Sequence, residues 1–78
     1  MKLVSRLFAA KAIQIRGGSA RCVKGMMVSR MMSDISSLAS EVNLKEGEIW
    51  INQLGKVSFS SEVPEAIHQR IRNVISSH

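Results

Sequence analysis

Residues 48–59 read E-I-W-I-N-Q-L-G-K-V-S-F, and this stretch decides the fold. Ile49 and Ile51 alternate with Trp50 and Asn52; after Gln53-Leu54-Gly55, Val57 and Phe59 alternate with Lys56 and Ser58. Period-two alternation of branched and aromatic residues marks half-buried strands. The three-residue loop ends on glycine, as a type I turn closed by a left-handed residue requires. The stretch is therefore a β-hairpin that sets Ile51 against Val57, Trp50 against Ser58 and Ile49 against Phe59. Its four apolar residues share one face, because cross-strand partners point the same way.

Upstream, residues 12–23 follow the same logic. Ile13 and Ile15 alternate with Gln14 and Arg16, and Gly17-Gly18 supplies a two-residue primed turn. That turn pairs Ile15 with Ala20, Ile13 with Cys22 and Gln14 with Arg21. Each hairpin is followed by a stripe of helical period: Val28, Met31, Met32, Ile35, Leu38, Ala39 and Val42 after the first, Val63, Ile67, Ile71, Val74 and Ile75 after the second. Asn43 fits a left-handed helix stop, Lys45-Glu46-Gly47 reads as a polar link, and Pro64 suits a first helical turn. The two units, 12–43 and 48–76, align at an offset of 36 residues (Ile13 with Ile49, Ile35 with Ile71), a ββαββα pseudo-repeat.

Neither unit can bury its apolar surfaces alone. The expected fold class is α+β: a four-stranded antiparallel sheet with two helices on one face. It forms a single domain over residues 12–78, preceded by a basic amphipathic segment at 1–11 with Leu3, Leu7 and Phe8 at helical spacing. The outer sheet face is left with Gln14, Arg16, Ser19, Arg21, Val23, Trp50, Asn52, Lys56 and Ser58, and an antiparallel sheet tolerates water there.

At 78 residues a single core is barely sufficient. One cysteine, Cys22, excludes an internal disulfide, so a reducing, cytoplasmic setting is expected. The formal net charge of +5 is unevenly spread: residues 1–33 carry seven basic side chains and no acid. A basic excess favours nucleic acid or anionic membrane as partner without bearing on fold. The acid-free start also fits a mitochondrial presequence, against which stands the structured pattern from residue 12 onward. The first eleven residues are too short to span a bilayer but suit peripheral membrane contact.

No catalytic, cofactor or metal site is expected. His68 and His78 are the only histidines, Cys22 falls on the predicted core face, and metal-ligand spacing is absent. Glu62 and Glu65 complement a helix start. The cluster Met26, Met27, Met31 and Met32 reads as soft core filling.

Two surfaces remain. The interaction face consists of Trp50, Arg16, Arg21, Lys56, Gln14 and Asn52. A secondary basic helix face carries His68, Arg70 and Arg72, the simplest reading of which is a solvated face. The leading expectation is a small non-enzymatic interaction protein that forms a homodimer through the sheet face around Trp50. The alternative is nucleic-acid or polyanion binding by the same basic face, a single tryptophan acting as a stacking platform.

The run V-S-F-S-S-E-V-P-E-A-I-H-Q-R-I-R-N-V, residues 57–74, resembles the end of a family of short bacterial proteins catalogued only as a domain of unknown function. In that family a strand, a proline-containing link and a Q-R-I-R-N-V-type helix close the chain, and here Gln69 to Val74 carry the specific match. The resemblance implies a hydrophobic N-terminal anchor. The corresponding stretch here, Leu3 to Ala10, is interrupted by Arg6. The family implies no activity.

Overall fold

The computed structural model describes residues 9–77. Strands β1 (Lys11–Arg16) and β2 (Ser19–Lys24) form the first hairpin, followed by helix α1 (Ser29–Glu41). Strands β3 (Glu46–Ile51) and β4 (Val57–Phe59) form the second; a 3-10 turn at Glu65–Ile67 then runs into helix α2 (His68–Ser77). The four strands make one antiparallel sheet in the order β2-β1-β3-β4, an α+β arrangement of sheet and two helices. Of the amphipathic segment read at 1–11, residues 1–8, with Leu3, Leu7 and Phe8, lie outside the described residues.

Both hairpins have the expected register. Ile13 faces Cys22, Gln14 faces Arg21 and Ile15 faces Ala20; Ile49 faces Phe59, Trp50 faces Ser58 and Ile51 faces Val57. Gly17 and Gly18 have φ of 60° and 81°, the pair of left-handed residues a primed two-residue turn demands. In the second loop Gly55 has φ 86°, and the Asn52 side-chain oxygen accepts from the Leu54 and Lys56 N–H groups at 2.9 and 2.8 Å. Asparagine thus builds the turn from its own side chain.

What joins the hairpins is β1 against β3, with Ile13 opposite Ile49 and Ile15 opposite Gly47. Here the structure corrects the reading of Lys45-Glu46-Gly47 as a link: β3 begins at Glu46, and Gly47 is a buried strand residue. A Cβ on Gly47 would lie 2.9 Å from Val63 Cγ2, so only glycine lets the segment before α2 pack there. β4 ends after three residues, and Ser60 continues its pairing. The Ser60 N–H donates to the Glu48 carbonyl, and the Ser60 hydroxyl accepts the Glu48 N–H, both at 2.9 Å.

α1 stops as Asn43 requires. With Asn43 at φ 56°, its N–H reaches the Ser40 carbonyl and the Leu44 N–H reaches the Ala39 carbonyl. This is a Schellman motif, and Leu44 is buried beside it. Mid-helix, Ser36 Oγ donates to the Met32 carbonyl and accepts the Ala20 N–H of β2, both at 2.8 Å, which ties the helix to an edge strand.

One core cluster unites Ile13, Ile15, Ile49, Ile51 and Val57 of the sheet with Met31, Ile35, Leu38, Ile67 and Ile71 of the helical side. Phe59, Val74 and Ala20 pack at its rim. Two readings change. Cys22 is half-buried outside the core, its thiol against the Lys24 and Gly25 carbonyls at 3.2 Å. Met31 is core and Met27 and Met32 pack against it, but Met26 is 88% exposed.

Candidate interaction face

The outer sheet face is built from the even residues of β1 and β3 and their partners on either side. Three rows cross it. Arg16 lies between Ser19 and Glu46, Gln14 between Arg21 and Glu48, and Ala12 between Lys24 and Trp50, with Ser58 beyond the tryptophan. An irregularity between Ala12 and Ile13 skips Val23, a bulge that leaves this valine as an extra residue of β2 beside Ala12.

The centre of the face is not open. Ala12 is 0% and Glu48 1% exposed, while Trp50 and Gln14 are half-buried. Trp50 Nε1–H donates to Glu48 Oε2 at 2.8 Å, a bond that fixes the indole against the strand. Glu48 is thus a buried carboxylate held by the tryptophan side chain, with a further partner of its own. Around this centre Arg16, Arg21 and Lys56 are exposed. Asn52, grouped with them from the sequence, is exposed too, but its side chain is engaged in the hairpin turn. Leu3, Leu7 and Phe8, which by sequence are the alternative to a second copy as cover for Trp50, lie outside the described residues.

Sequence reasoning missed the two acids. Glu46 and Glu48 share the parity of Trp50, and stepping back in twos from the tryptophan along β3 places both on this face. They were lost because the strand was begun at Glu48 and the preceding residues were read as a link. With them the face is of mixed sign: Arg16 and Arg21 stand on β1 and β2, and Glu46 on β3.

The second surface is engaged within the fold. The His68 ring stacks on Phe59 with centroids 3.9 Å apart, and its Nε2 donates to the Val63 carbonyl at 2.9 Å. Arg72 Cζ lies 5.2 Å from the Phe59 centroid, and Arg70 pairs with Glu41 at 2.9 Å, joining α2 to the end of α1. His68 and Arg72, one turn apart, therefore hold the rim of the core through a stacked ring and a cation–π contact.

Among the described residues no group of three or more His, Cys, Asp or Glu is placed to hold a metal ion, and no helix is long and apolar enough to cross a membrane.

Compared with known proteins, residues 2–78 match the family described as "Protein of unknown function (DUF3634)". The chain belongs to this family. No curated protein and no solved structure matches it. The match covers both hairpins and both helices, so the two units read from the sequence fall within a single family domain.

Proposed function

We propose that this DUF3634 domain is a small, non-enzymatic interaction module whose contact surface is the sheet face around Trp50, and that its partner is a second copy of itself. The observation that carries this reading is the pair of apolar side chains that flank buried Ala12, the bulged and exposed Val23 on β2 and the half-buried indole of Trp50 on β3. Apolar side chains framed by charges are the composition of a protein contact. The charges also fit a self-contact. Arg16 lies on one side of the β1/β3 seam and Glu46 directly opposite on the other. A two-fold axis along the strands brings the Arg16 of each copy over the Glu46 of the other. Nucleic acid is less well served, because Glu46 and Glu48 weaken the pull of this face on phosphate.

Trp50 is the only tryptophan, so its emission reports on the face directly. At high micromolar concentration the wild-type emission is expected to be blue. Val23→Arg, which places a charge beside Ala12, two strands away from the indole and outside the core, is expected to redden it. Identical emission from the two proteins would mean that no second copy covers Trp50 and would refute the reading.

A further inference from the structure

All four large hydrophobic residues that stand exposed among the described residues gather at one end of the sheet. The pairs Lys11–Ile51, Ala12–Lys24 and Ile51–Val57 define that end. Val23 lies one residue from it on β2. Met26 and Val28 occupy the loop from β2 to α1, and Leu54 tips the second hairpin. Leu54 is 94% exposed and Met26 88%. Long, unbranched or γ-branched side chains projecting from two tight loops make no flat patch. They are shaped to enter a soft phase.

Charge is sorted along the same axis. Residues 9–33 and 49–61 contain no acid, and within them Lys11, Arg30 and Lys56 are exposed at this end. Asp34 lies on the second turn of α1 and Glu48 is buried within β3, while Glu41 ends α1, Glu46 begins β3, and Glu62 and Glu65 lie in the connection and 3-10 turn before α2. The chain also enters the sheet here: the Ala10 N–H donates to the Ile51 carbonyl.

We infer that this end of the domain docks on an anionic phospholipid surface, with Leu54, Met26 and Val28 entering the headgroup region while Lys11, Arg30 and Lys56 meet lipid phosphates. Apolar side chains ringed by cations are what interfacial binding needs. A nucleic acid would use the cations and leave the leucine and methionine without a role. This inference shares Val23 and Lys56 with the proposed self-contact, but it rests on Leu54, Met26 and Val28, which lie outside that contact, and stands without it.

The test is flotation of the full chain with vesicles of phosphatidylcholine alone and of phosphatidylcholine mixed with phosphatidylglycerol. The double variant Leu54→Glu, Met26→Glu is compared with wild type, and circular dichroism checks its fold. Both side chains lie in solvent, so the fold should be kept. Wild type is expected to float with the anionic vesicles only, less at high salt, and the variant's partition should fall by about ten-fold or more. Equal flotation of variant and wild type would place the contact elsewhere. Equal binding to neutral vesicles would remove the role of the cations, and absence of flotation would leave a protein as the occupant; each result overturns the inference.

Discussion

Ser60 and Gly47 hold the sheet where β4 is too short to do so. Removing the Ser60 hydroxyl leaves the buried Glu48 N–H without its acceptor, so Ser60→Ala should destabilise the domain by about 1–3 kcal/mol, read as a lower urea midpoint at unchanged slope. Gly47→Ala should cost a similar amount, about 1–3 kcal/mol, because the new methyl meets Val63 Cγ2 at 2.9 Å in a packed interior. Thermal melts of Gly47→Ala and of the double variant Gly47→Ala, Val63→Ala separate the cause: the second change should give relief at this site if the clash is the reason. Neither role was legible beforehand. Glycine in a charged tripeptide reads as a link, and a serine after a strand reads as loop; only the approach of Val63 and the early end of β4 give them their functions. Trp50 was legible as the residue of the outer face, since one tryptophan on the polar parity of a strand stands out. Its acidic partner two residues away was not, although the same parity places it there.

At the level of elements, local chemistry set the boundaries. Asn43 takes the left-handed conformation that ends α1, so Asn43→Gly should keep the Schellman motif, whereas Asn43→Val should lose about 1–2 kcal/mol by chemical denaturation. Ser36 ties α1 to the edge of β2, and Ser36→Ala should cost about 1 kcal/mol and speed amide exchange at Ala20. Both hairpins could be read to the residue because turn type fixes register: two left-handed glycines or a three-residue loop ending in glycine leave one pairing each. The start of β3 was misplaced because its first two residues are a glutamate and a glycine, which strand propensity disfavours. Pairing with Arg16 and Ile15 of β1 overrides that preference. The methionine run shows the same limit. Met31 follows the helical period into the core, but Met26 precedes the helix and turns outward.

Strand order belongs to the whole molecule, and no local pattern encodes it. The pairing of β1 with β3 joins residues 30 to 40 positions apart in sequence, and it creates the outer face by bringing Ala12, Gln14 and Arg16 beside Trp50, Glu48 and Glu46. That placement gives the face its mixed charge, and in the proposed dimer a two-fold axis matching arginine to glutamate would turn the Leu54 ends of both copies in the same direction. A dimer so built would present two such ends to one surface. The central claim is that the face around Trp50 holds two copies together. Sedimentation equilibrium of the full chain over a wide concentration range tests it most directly. The predicted result is a mass near twice the 8.6 kDa of one chain at high micromolar concentration, falling toward 8.6 kDa on dilution and, for Val23→Arg, at every concentration. A wild-type mass of 8.6 kDa throughout would contradict it.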